Sequence, residues 1–138
     1  MKKLKFLFII LLLFGCQSSN KVKEEFELDF FYVDYCQNCE NFKLIAIPKL
    51  KNEFPDMTVN YYELDDNHDL YDQYIDRAID FDNEEYESVP FVVINNELAI
   101  VGYSVGEEDE LIKEIHRYFN NEQLGQYFVI GEYKLNNE

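Results

Sequence analysis

The chain has 138 residues, with 28 acidic against 12 basic side chains and a formal net charge of −16. Such a body repels nucleic acid and anionic lipid headgroups, which excludes functions built on binding either polyanion. Its chemistry must therefore be sought elsewhere, and three cysteines, Cys16, Cys36 and Cys39, are the first candidates.

Residues 1–15 read as an address rather than as part of the fold. Lys2, Lys3 and Lys5 form a basic start, and Leu4 with Phe6 to Phe14 gives an apolar stretch. That stretch falls short of the roughly 20 residues a membrane span needs, and has the length of a signal-peptide core. It ends in Leu13-Phe14-Gly15-Cys16. This tetrapeptide resembles the lipobox of bacterial lipoproteins, in which the cysteine becomes the first mature residue and carries a diacylglycerol thioether. The resemblance implies a lipidated Cys16 and an extracytoplasmic protein anchored to the cell membrane of a bacterium. An ordinary secretory signal and an uncleaved anchor helix remain open alternatives. Cleavage before Cys16 leaves 123 residues, enough for one domain with a real core and not for two. It also removes three lysines, leaving nine basic residues against the 28 acidic ones.

Residues 16–25 are polar, rich in lysine and glutamate, and lack an apolar period, so they are expected to be a flexible tether. From Phe26 the pattern changes. Phe26, Leu28, Phe30, Phe31, Tyr32 and Val33 predict a strand buried on both faces. Cys36-Gln37-Asn38-Cys39 follows directly. Phe42, Ile45, Ala46 and Leu50 predict a helix from Cys39 to Phe54, kinked or split at Pro48. Met57 to Leu64 reads as a second strand, closed by Asp65, Asp66 and Asn67. Leu70, Tyr74, Ile75, Ala78 and Ile79 place a helix over Asp69 to Phe81. An acidic loop, Asp82 to Glu87, leads to Ser88-Val89-Pro90. Phe91 to Ile94 and Leu98 to Val101 form a hairpin around Asn95-Asn96-Glu97. Glu107 to Phe119 is an amphipathic helix whose acidic first turn, through Glu110, is expected to be solvated. Residues 121–138 form an extension in which Tyr127 to Ile130 is a candidate edge strand. Two βα units, a hairpin and a packing helix make an α/β sandwich with a mixed sheet.

In an exported chain the two remaining thiols are expected to pair. A bridge across two intervening residues closes too small a loop to constrain the unfolded chain much, so it is a poor staple and a plausible reagent. Its position at a strand-to-helix junction matters more than its spacing. Unpaired amides and the helix dipole there favour a thiolate, lowering a thiol pKa from about 8.5 toward neutrality or below. Cys36 at the helix entrance is then the nucleophile, and Cys39, one turn further in, the resolving thiol.

Phe31-Tyr32-Val33-Asp34-Tyr35-Cys36-Gln37-Asn38-Cys39, together with Ser88-Val89-Pro90, resembles the active-site segment and second landmark of thioredoxin-like thiol-disulfide oxidoreductases. The resemblance spans residues 26–120. It implies a thioredoxin-like sandwich, a cis peptide before Pro90, and a substrate surface formed by Val89, Pro90 and Tyr35. It implies protein thiols or disulfides as partners, a monomer, and no cofactor or metal. Three departures stand out. Tyr35 precedes the first cysteine where the family often has Trp, and Gln37 and Asn38 separate the pair. Phe30 occupies the position where thioredoxins commonly place a buried acid. Asp34 and Glu40 flank the motif, and their charges oppose a thiolate.

His68 and His116 are too scattered to join the two thiols as a zinc set, and Tyr61, Tyr62, Tyr71, Tyr74 and Tyr86 read as packing. The competing functions are a thioredoxin-like binding or metal- or haem-maturation accessory lipoprotein without turnover, and a purely structural lipoprotein. Exchange requires a reachable Cys36, whereas a static bridge tolerates full burial.

Overall fold

The computed structural model of the chain describes residues 25–125 and 131–137. Its strands are β1 (Phe26–Tyr32), β2 (Met57–Glu63), β3 (Phe91–Ile94), β4 (Leu98–Val101) and β5 (Gly131–Lys134). They form one sheet in the order β2-β1-β3-β4-β5. β1 and β2 run parallel, with Phe26 beside Met57 and Tyr32 beside Glu63, because the segment joining them is a helical crossover. β3 is antiparallel to β1, and β4 and β5 continue antiparallel beyond it.

β3 and β4 are apolar and buried along their whole length because both faces of the sheet are covered there, whereas β1 is apolar except at Glu27 and Asp29 near its start. On one face lie α1 (Gln37–Asn41), a π-helical turn (Phe42–Ala46), α2 (Ile47–Glu53) and α4 (Glu108–Phe119). There Phe30, Val92 and Ile100 pack with Phe42, Leu50, Leu111 and Ile115. The other face belongs to α3 (His68–Arg77), where Phe31, Phe91 and Val93 meet Tyr71 and Tyr74. The fold is a thioredoxin-like α/β sandwich, a mixed sheet flanked by helices.

Pro48 splits the first helix as its chemistry requires. It lacks an N–H and sits at the start of α2, and the turn before it widens so that Ile47 N–H reaches Phe42 O, a step of five residues. The hairpin matches its expected bounds. Asn95 and Asn96 both take left-handed conformations, with φ of 48° and 61°, and Glu97 N–H closes on Ile94 O at 3.0 Å.

Two expectations need correction. The helix expected to run to Phe81 ends at Arg77, because Ala78 turns extended and bridges Leu135, and Ile79 N–H donates to Lys134 O. The first turn of α4 is not wholly solvated. Glu108 is buried, accepting Tyr103 OH at 2.5 Å and Gly106 N–H at 2.9 Å, while Glu107 caps Ser104 N–H at 2.7 Å. The edge strand expected over 127–130 lies outside the described residues, and the strand that closes the sheet is β5, over Gly131–Lys134.

β5 and the residues after it are held by polar contacts as well as by pairing. Arg77 donates to Asn136 O at 2.7 Å and to Asn96 O at 2.6 Å. Tyr133 OH donates to Glu85. Glu114 of α4 is fully buried, accepts Gly125 N–H and pairs with Arg117. Glu132 of β5 faces it with both carboxyl oxygens buried.

Candidate active site

β1 delivers its chain end to the top of the sheet, and a turn from Val33 to Cys36, closed by Cys36 N–H to Val33 O at 3.2 Å, starts α1. Cys36 caps that helix with an extended backbone, and its Sγ accepts Cys39 N–H at 3.0 Å. The two cysteines form a disulfide with their Cα atoms 5.2 Å apart. Cys39 is 1 % exposed, while Cys36 remains partly open to solvent. One sulfur is thus presented and the other shielded.

The buried cluster that holds Cys39 is rich in aromatic rings. Phe42, one turn past Cys39, stacks on Phe30 with ring centroids 4.9 Å apart, and Tyr103 meets Phe42 edge-on at 5.1 Å. Phe30 therefore fills with apolar surface the position where the resemblance would place an acid. The Lys43 ammonium lies 3.5 Å above the Tyr32 ring, at the rim of the same helix.

Facing the disulfide is the Val89–Pro90 peptide, which is cis. The Val89 carbonyl oxygen stands 3.9 Å from Cys36 Sγ, and Pro90 O accepts Gly102 N–H at 2.7 Å, joining this segment to the loop before α4. Tyr35 is 85 % exposed beside the turn, and Asp34 and Glu40 are exposed on either side of the motif. Cys36, Cys39, Val89, Pro90 and Tyr35 thus come together at one end of the sheet. Cys16 lies outside the described residues.

The two histidines sit elsewhere. His116 Nε2 is 2.9 Å from Glu53, tying α4 to α2, and His68 Nε2 is 3.6 Å from Glu87. Among the described residues no three His, Cys, Asp or Glu side chains gather as a metal-holding group. Sequence reasoning missed the inward Glu108 and its Tyr103 partner. The Ser104-Val105-Gly106-Glu107 spacing, a helix-start signature, carried a signal that the chain reverses there.

This geometry permits thiol-disulfide exchange at Cys36. An attacking or departing sulfur has access to solvent, an amide hydrogen bonds it, and the second sulfur is within bonding reach.

No family model matches the sequence, and no curated protein matches it. Among solved structures the chain is similar to the solution structure of the oxidised thioredoxin from Plasmodium falciparum, with 14 % identity and a TM-score of 0.48. That likeness covers 72 % of this chain and 86 % of the other. Strand order and the residues above, not a likeness of that size, carry the reading of the site.

Proposed function

We propose that this chain is a lipid-anchored, extracytoplasmic thiol-disulfide oxidoreductase that exchanges disulfides with protein substrates through Cys36 and Cys39. The observation that carries the chemistry is the asymmetry of the pair, with a partly open Cys36 Sγ hydrogen bonded by Cys39 N–H and a Cys39 buried in the cluster that includes Phe42 and Phe30. Placement outside the membrane, on a lipid at Cys16, rests on the basic start, the apolar stretch and Leu13-Phe14-Gly15-Cys16.

In the dithiol state the Cys36 thiolate attacks one sulfur of a substrate disulfide. A Cys36–substrate disulfide forms, and the substrate's other sulfur leaves as a thiolate. Cys39, having lost its proton, then attacks Cys36 Sγ, re-forms the bridge and expels the second substrate thiolate. The substrate gains two electrons and two protons, and the protein loses the same. A thiol reductant restores the dithiol, and the reverse sequence oxidises a substrate dithiol. Tyr35 and the Val89–Pro90 segment are the surface on which we expect the substrate chain to lie. Backbone pairing beside Val89 would orient its disulfide over Cys36.

The test is turnover. The dithiol form should reduce a peptide disulfide between pH 6 and 8, a range bracketing the thiolate pKa values that helix entrances favour. A bridge that forms but exchanges with no small or peptide disulfide would turn the assignment toward a binding module.

A further inference from the structure

The segment that enters the Val89–Pro90 rim is gripped by one face of α3. Tyr71 OH accepts the Glu87 backbone N–H at 2.9 Å, Asp72 Oδ1 accepts Tyr86 OH at 2.6 Å, and His68 Nε2 lies 3.6 Å from a Glu87 carboxylate oxygen. Residues 68, 71 and 72 are spaced three and four apart and so share a face of the helix. What they hold needs holding. Glu87 has φ of 61°, a left-handed conformation that a long L side chain avoids unless its surroundings impose it. Two residues later, the Val89 carbonyl faces Cys36 Sγ.

Tyr71 is built for such a task. It is fully buried, with its ring edge-on to Phe31, Phe91 and Tyr86, so its hydroxyl has little freedom to follow a moving loop. Burial pushes its pKa up to about 12, and the oxygen is a neutral acceptor at any pH at which the exchange would be assayed. Nothing in the tyrosine-rich sequence distinguishes it from the packing tyrosines around it. Only the loop it meets does.

We propose that Tyr71, flanked by His68 and Asp72, is a positioning residue that fixes the Glu87–Val89 segment at the height where it receives a peptide substrate over Cys36. This rests on the exchange activity proposed above and adds a residue that acts through the loop, touching neither substrate nor sulfur. Removing the hydroxyl should leave the ring packed and free the loop. Substrate docking would suffer while the chemistry at Cys36 would not.

The experiment compares wild type with Tyr71→Phe, using a short synthetic peptide whose cysteine is in a mixed disulfide with a chromophoric thiol. KM should rise roughly three- to tenfold, the factor one lost hydrogen bond carries, with kcat held within about twofold. The Glu87 and Ser88 amides should exchange hydrogen faster by a similar factor. Asp72→Ala, an external substitution on the same face, should move KM in the same direction by less. Unchanged KM with unchanged amide exchange would overturn the proposal. So would a kcat that falls with a lowered melting temperature at constant KM, since that is a purely structural role. If wild type exchanged with no disulfide at all, the oxidoreductase reading would fail. The amide measurement would still decide against Tyr71 if its exchange were unaltered.

Discussion

Cys39 N–H donates to Cys36 Sγ across a single helical turn, at 3.0 Å. In the dithiol state the same amide stabilises charge on that sulfur, while Cys39 stays buried in the core. At pH 7 a small alkylating agent should therefore label Cys36 at least about tenfold faster than Cys39 in the native dithiol protein. Asp34 and Glu40 work against the thiolate, so Asp34→Asn with Glu40→Gln should speed labelling of Cys36 by roughly twofold or more. Mass spectrometry of the labelled peptides reads both rates, and equal labelling of the two cysteines would contradict the geometry.

Phe30 is fully buried and stacks on Phe42 in the cluster that also holds Cys39. Replacing it with alanine removes an aromatic payload from the larger core cluster and leaves a cavity there. The expected cost is about 3–5 kcal/mol, read as a lowered midpoint in urea unfolding with little change in slope. A loss under about 1 kcal/mol would mean that the helices collapse over the gap.

Glu132 should make stability depend on pH. Burial first, and the neighbouring Glu114 carboxylate second, raise its pKa from 4.5 to about 8. The folded chain therefore binds a proton that the unfolded chain releases, and stability falls as pH rises from about 4.5 to about 8. Above that window the penalty is constant. Glu132→Gln keeps the shape and cannot ionise, so it should flatten this part of the profile. It should also stabilise the protein at pH 8.5 by about 1–2 kcal/mol, a figure discounted for the solvent that reaches the side chain. Parallel wild-type and variant profiles between pH 5 and pH 8.5 would refute the buried pair.

The anchor is tested separately from the chemistry. In a bacterial host Cys16→Ser should abolish incorporation of radiolabelled lipid and release the domain from the membrane fraction. Continued labelling of that variant would remove Cys16 as the attachment point.

The sequence declared its hairpin through Asn95-Asn96, because two consecutive residues had to take left-handed conformations and asparagine tolerates them. It declared the pairing of Cys36 with Val89–Pro90 through a strand-to-helix junction and a proline at the head of an apolar strand. Other features were decided by contacts between segments distant in sequence. Ala78 and Ile79 continue a helical stripe, yet the chain leaves the helix there to bond Lys134 and Leu135. Glu108 looks like its acidic neighbours, and only the return of Tyr103 and Gly106 over it shows why it turns inward. The hold of Tyr71 on Glu87 was equally hidden, since a hydroxyl that packs and a hydroxyl that positions are spelled by the same letter.

The central claim is that Cys36 attacks and Cys39 resolves, and trapping of mixed disulfides tests it most directly. Cys39→Ser leaves attack possible and release impossible, so it should accumulate covalent complexes with exported proteins that dissolve on addition of excess thiol. Cys36→Ser has only a buried sulfur to offer and should accumulate few or none. Non-reducing electrophoresis of the two variants, expressed side by side, reads the difference. Strong trapping by Cys39→Ser alone is the result expected, and equal trapping by both, or by neither, would contradict the division of labour.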